Sequence, residues 1–154
     1  MSRAFVKEPD GDTPDVLPER PVSPHPNLLT RAGLAAMEAE LARLDAAHAA
    51  AVRAGDKPAI AATQRDLRYW TARRASAQLV ETPAGTGQVQ FGCTVTIARD
   101  DGRKQTFRIV GEDEADPRQG TLSHVSPLAR ALFGKAVGDV AEAPGGDVEI
   151  LAIG

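Results

Sequence analysis

Two stretches, Phe107-Arg-Ile-Val-Gly-Glu-Asp-Glu-Ala-Asp116 and Ser126-Pro-Leu-Ala-Arg-Ala-Leu-Phe-Gly-Lys-Ala-Val-Gly-Asp139, decide how the C-terminal half of this 154-residue chain folds. The first reads as a strand running into an acidic loop. In the second, Ser126 supplies an N-cap hydroxyl and Pro127 suits the first helical position, so a short helix starts there. It buries Leu128, Ala131 and Leu132 and ends at Gly134. Upstream, Val89, Phe91, Cys93, Val95 and Ile97 alternate with Gln90, Gly92, Thr94 and Thr96, the period of a strand with one buried face. Asp100-Asp101-Gly102 is a hairpin turn that returns the chain as Thr106 to Val110. Thr121 to Val125, Val140 to Ala143 and Val148 to Ile153 supply further short strands around Pro144-Gly145-Gly146. An antiparallel sheet covered by one short helix makes residues 83–154 a small α+β domain.

Ahead of the linker Thr82-Pro-Ala-Gly-Thr-Gly87 the period changes to that of a helix. Thr30 offers an N-cap, and Leu34, Met37, Leu41, Leu44, His48 and Ala51 recur at alternating steps of three and four. Gly55 suits the position past the helix end and Pro58 the first turn of the next helix. A second run carries Ile60, Leu67, Trp70 and Ala77 on one side, with Arg65, Arg68, Arg73 and Arg74 around the rest. Two helices joined so tightly lie antiparallel, so residues 28–82 form a helical hairpin, a coiled coil whose first arm, Arg31 to Ala54, is about 35 Å long. Its seam is thin and rich in alanine. Trp70 belongs either in that seam or at the junction with the sheet.

Residues 1–27 hold six of the eleven prolines and five acids, a composition that reads as an extended, disordered tail. Phe5, Val6, Val16, Leu17 and Val22 are its candidate local anchors.

Composition narrows the function classes. Aromatics are 4% of the chain, too few for a deep apolar pocket. The net charge of −3 argues against strong steering toward nucleic acid. The hairpin carries eight basic and six acidic side chains, the C-terminal part seven and ten. A single cysteine, Cys93, excludes an internal disulfide, and His25, His48 and His124 lack metal-ligand spacing, so no intrinsic metal is expected. No apolar run reaches the ~20 residues that span a bilayer, and no secretory signal opens the chain. A cytoplasmic protein is the resulting expectation.

Phe107-Arg-Ile-Val-Gly-Glu-Asp-Glu, Ser126-Pro-Leu-Ala-Arg-Ala-Leu-Phe-Gly-Lys and Val137-Gly138-Asp139 resemble the C-terminal domain of the bacterial Gre family of transcript-cleavage and elongation factors, GreA and GreB. The start of the hairpin, Leu29-Thr30-Arg-Ala-Gly33-Leu34, and its exit, Arg68-Tyr69-Trp70-Thr71 to Val80, are similar to that family too. The resemblance covers residues 28–154 and looks GreB-like with a shortened coiled coil. It implies an N-terminal antiparallel coiled coil and an FKBP-like C-terminal domain. It also implies RNA polymerase as partner, with the globular domain on the rim of the secondary channel and indirect contact with nascent RNA and DNA. DNA-binding would be of this indirect kind, and a monomer is expected.

In that family, acidic side chains at the hairpin tip help to hold a second Mg²⁺ at the polymerase's own catalytic centre. A carboxylate is a suitable hard-oxygen ligand, and a second metal can clamp attacking and leaving oxygens. The family tip reads Gly-Asp-x-Ser-Glu-Asn, whereas Gly55-Asp56 is followed here by Lys57-Pro58-Ala59-Ile60. The arms are also shorter by about nine residues each, which withdraws the tip by about 13 Å. Asp56 is therefore a weak candidate for the catalytic position, with Mg²⁺ relevant only if it acts there; its other role is to cap the second helix. The resemblance implies a polymerase-binding elongation regulator with weak or no cleavage stimulation, not an enzyme in itself. A true cleavage factor is the alternative, and a peptidyl-prolyl isomerase, resting on fold analogy alone, a minor one. The polymerase-binding candidates are Asp113, Glu114, Ser123, Ser126 and Pro127. The run Glu112 to Asp116 is either a solvated rim or an electrostatic contact.

Overall fold

The computed structural model describes residues 17–83 and 85–154, and within them the two architectures stand side by side. Strand β1 (Leu28–Leu29) leads into helices α1 (Arg31–Ala54) and α2 (Lys57–Ser76), and β2 (Gln78–Leu79) leaves them. β1 and β2 pair in parallel, Leu28 with Gln78 and Leu29 with Leu79, and close the base of the hairpin. The helix boundaries follow from their caps. Thr30 accepts a bond from the Gly33 amide at 3.0 Å, and Gly55, in the left-handed region at φ 64°, ends α1. Asp56 then caps α2 by accepting from the Ala59 amide at 3.2 Å. The seam is as the spacing predicts, with Met37, Leu44 and Ala51 buried. His48 stays in it because its Nδ1 pairs with Thr63 Oγ1 at 2.9 Å.

The remaining strands are β3 (Thr94–Arg99), β4 (Lys104–Val110), β5 (Thr121–Ser123), β6 (Val140–Ala143) and β7 (Gly146–Ile153), with α3 (Pro127–Leu132) between β5 and β6. They form one sheet in the order β5-β4-β3-β7-β6. Val95, Ile97, Ile109, Val148 and Ile150 pack from the sheet against Ala129 and Leu132 of α3, giving an α+β unit with a single small core. Ser126 caps α3 through the Ala129 amide, as its sequence implies.

Three expectations need correction. The sheet is mixed rather than antiparallel, because β4 and β5 pair in parallel, Arg108 with Thr121 through Val110 with Ser123. The first long strand begins at Thr94, not Val89. Val89, Phe91 and Cys93 are buried as the alternation requires, but Gly92 at φ 87° turns the backbone, and a side chain there would strike Thr82 Oγ1. The third concerns the N-terminal tail. Phe5, Val6 and Val16 lie outside the described residues, but Leu17 to Asn27, without helix or strand as their prolines dictate, are tied down. Asn27 is buried, Leu17 is half-buried and Val22 is exposed, so the attachment rests chiefly on polar groups.

Candidate functional site

The two helices meet the sheet unit through the loop after β4. Its adjacent acids, Asp113 and Glu114, each take one arm of the hairpin. Asp113 accepts from Arg73 Nε at 2.7 Å, in the last turn of α2, and from the Tyr69 hydroxyl. Glu114 accepts from the Thr30 amide at 3.0 Å and from the Thr30 hydroxyl, at the start of α1, and from the Gly111 amide at 3.1 Å. Its charge thus sits on the unsatisfied amides and positive dipole end of α1. The approach needs two glycines. A Cβ at Gly33 would lie 2.0 Å from the Glu114 carboxyl carbon, and one at Gly111 2.3 Å from the Leu28 carbonyl oxygen.

Arg73 is the centre of the joint. Only 1% of its side chain is exposed, an environment in which a cation persists only when paired and hydrogen-bonded. Besides Asp113, it donates to Asn27 Oδ1 at 2.8 Å. Asn27 Nδ2 in turn donates to the Arg73 carbonyl at 2.7 Å. Glu112 Oε2 lies 3.6 Å from Arg73 Nη2, close enough for attraction but beyond a hydrogen bond. Burial, reinforced by the bond to Asp113, pushes the Tyr69 phenol up to about 12, so it donates throughout the neutral range. Burial also holds His124 below the usual imidazole range, with Glu112 opposing the shift.

Asp113 and Glu114, polymerase-binding candidates by sequence, are placed here at the joint between hairpin and sheet unit. Their carboxylates point inward and are engaged within the chain. The parallel pairing of β4 with β5 does bring the acidic loop and the Ser123-to-Pro127 turn out at the same end of the sheet. There Ser123 Oγ accepts from the Val125 amide at 3.3 Å, Ser126 Oγ caps α3, and Pro127 is exposed. Trp70 lies at the junction. It forms one wall of an open cleft of about 420 Å³ whose other walls include Met37, Asp113 and Glu114. Arg73, Asn27 and Tyr69 were missed as joint residues. One signal was available for Arg73: three residues past Trp70 on an apolar stripe, it is a cation that needs an anionic partner.

At the far end, Asp56 is exposed and its carboxylate serves as the cap of α2. Among the described residues no cluster of three His, Cys, Asp or Glu could hold a metal ion. At the tip the carboxylate of Asp56 is already engaged by the Ala59 amide. Among the described residues no helix is long and apolar enough to cross a membrane.

A two-helix arm clamped to a mixed-sheet unit by one acidic loop defines the class, and comparison with known proteins gives the family. Residues 84–154 match the family model described as "Transcription elongation factor, GreA/GreB, C-term". The chain is 38% identical over 132 residues to transcription elongation factor GreA of Chloroflexus aggregans, a match covering 73% of this chain and 84% of that one. This chain belongs to the GreA/GreB family of transcription elongation factors. Transcription elongation factor GreB of Neisseria meningitidis serogroup B is 45% identical over 95 residues, 58% of each chain. Transcription elongation factor GreA of Hyphomonas neptunium is 58% identical over 65 residues, 40% of this chain and 41% of that one. The chain thus spans about half the length of several curated relatives it matches. Among solved structures, GreA factor homolog 1 (Gfh1) of Thermus thermophilus is similar, with a TM-score of 0.40 and 21% identity, covering 84% of this chain and 99% of that one.

Proposed function

We propose that this chain binds RNA polymerase through the sheet unit and directs its hairpin into the secondary channel, modulating elongation with little or no stimulation of transcript cleavage. The observation that carries the second half is the tip. Its one carboxylate, Asp56, accepts from the Ala59 amide at 3.2 Å and is spent on capping α2. A single carboxylate already engaged as a helix cap is a weak recruiter of Mg²⁺, so no chemical step is assigned to the chain itself. Any metal at the tip would take its remaining ligands from the polymerase. Contact with nascent RNA and DNA is indirect on this reading, the protein acts as a cytoplasmic monomer, and the domain division follows residues 28–82 and 83–154.

The docking face is assigned to Ser123, Ser126 and Pro127. Asp113 and Glu114 contribute by holding the hairpin's direction rather than by touching the partner. An FKBP-like fold for residues 83–154 is carried as architecture only. Phe91 is buried, and Phe107 and Phe133 pack on the core, which speaks against an aromatic proline pocket.

Two measurements on the full chain test this. Co-elution with core RNA polymerase is expected, weakened by Pro127→Glu; its absence sinks the proposal. In halted, backtracked complexes the chain should leave transcript shortening at the level of polymerase alone while competing with a cleavage-competent relative. Shortening that disappears with Asp56→Ala would instead establish the cleavage-factor reading.

A further inference from the structure

The N-terminal segment makes a series of polar contacts along α2. Glu19 pairs with Arg68 at 2.6 Å. Arg20 lays its guanidinium 3.9 Å from the centre of the Tyr69 ring and 5.8 Å from that of Trp70, and pairs with Asp66 at 3.3 Å. Seven residues later, Asn27 fills the last place around the buried Arg73 and also donates to Ser76 Oγ at 3.2 Å. Every one of these contacts falls on the last three turns of α2. The prolines at 21, 24 and 26 fix φ at three of the residues between Arg20 and Asn27, and the chain bends once, at Pro24–His25, so the two grips are spaced by a restricted strip rather than a slack one.

We infer that residues 19–27 are a strap that acts on the direction of the hairpin through α2, with Arg20 and Asn27 as positioning residues that hold Tyr69 and Arg73, the two α2 side chains bonded to Asp113 of the sheet unit. The loop after β4 holds α2 through Asp113 on Tyr69 and Arg73. The strap holds the same two residues, with Arg20 on Tyr69 and Asn27 on Arg73. Planar stacking suits Arg20 to its place, since a guanidinium can lie on an aromatic face while its edge stays bonded to Asp66. Direction matters because the arm is a lever. A helix of 24 residues is about 36 Å long, so a rotation of about 10° at the base moves the tip by about 6 Å. On the polymerase reading above, that displacement decides whether the tip enters a channel, but the strap itself is a property of the free chain.

The test measures distances in the full-length protein. Spin labels at Ala54→Cys and Glu142→Cys, both exposed, report the separation of tip and sheet, while the native Cys93 is buried. Arg20→Ala and Asn27→Ala should each broaden the distance distribution by about 6 Å, the lever's response to about 10° of freedom, with helical circular dichroism unchanged. Arg20→Lys should fall between, keeping the charge and losing the stack. An unchanged width in Arg20→Ala overturns the strap whatever Asn27→Ala does, and so decides the matter even if Asn27→Ala fails to fold. With polymerase, the strap variants should keep co-elution and lose the hairpin-dependent effect on elongation. Wild-type protein that fails to co-elute would refute the polymerase reading and leave the distance result standing.

Discussion

Gly33→Ala sets two well-measured effects against each other, and the structure says which wins. Gly33 lies inside α1, where alanine is favoured over glycine by about 1 kcal/mol from backbone entropy alone. Judged by propensity, the substitution stabilises. The added methyl, however, would stand 2.0 Å from Glu114 Cδ and 2.4 Å from its Oε2, separations no real pair of atoms tolerates. The Glu114 side chain must withdraw, giving up the Thr30 amide, the Thr30 hydroxyl and the Gly111 amide. Hydrogen bonds to a charged acceptor contribute about 1.5 kcal/mol each at the low end, and water recovers part of that at a half-buried site. Loss of the anion from the helix N-terminus adds roughly 0.5 kcal/mol. The net expectation is destabilisation by about 2 kcal/mol, or a fall in Tm of roughly 5–8 °C. Thermal and urea melts of four proteins read it: wild type, Gly33→Ala, Glu114→Ala and the double variant. In the Glu114→Ala background the clash is gone, so Gly33→Ala should turn neutral or stabilising, a coupling well above the scatter of independent sites. A Gly33→Ala protein as stable as wild type, or one equally destabilised in both backgrounds, would refute the argument that this glycine exists to admit Glu114.

Three further outcomes follow from the joint. Arg73→Met should cost roughly 3–5 kcal/mol in a urea melt, because it strands Asp113 without its cation, and Asp113→Asn added to it should restore part of the loss. Tyr69 is the sole tyrosine, so tyrosinate absorbance reports it alone. With a folded pKa raised to about 12 against about 10 unfolded, its contribution is complete below pH ~10 and is lost as pH rises toward about 12. Asp113→Asn should move the titration down. For His124 the folded pKa is lowered by burial, so its contribution is present above the unfolded value of about 6.5 and is lost on acidification below it. His124→Phe should flatten stability against pH in that range.

Local chemistry was legible where a signal and its consequence lie within a few residues. Thr30, Gly55, Asp56 and Ser126 mark their helix ends as caps should, and Asp100-Asp101-Gly102 turns β3 into β4 as its composition demands. The parallel pairing of β5 was not legible. The connection between β4 and β5, residues 111–120, is shorter than the usual parallel crossover, and one turn of 3₁₀ helix at Pro117–Gln119 is the only regular structure in it. Asp113 and Glu114 escaped for a related reason. A run of acids displays its charge in the sequence but not its partners, and these stand 40 and 84 residues away at Arg73 and Thr30. Once found, the partners explain why two neighbouring carboxylates face inward together. Asp113 is neutralised by a buried cation and Glu114 by a helix N-terminus, so neither is left as a bare charge at the joint. Because the two arms of the hairpin run antiparallel, the start of α1 and the end of α2 lie side by side, and successive residues of one loop can reach both. A single insertion between Asp113 and Glu114 would break this register, freeing one arm while leaving each helix and the sheet core intact.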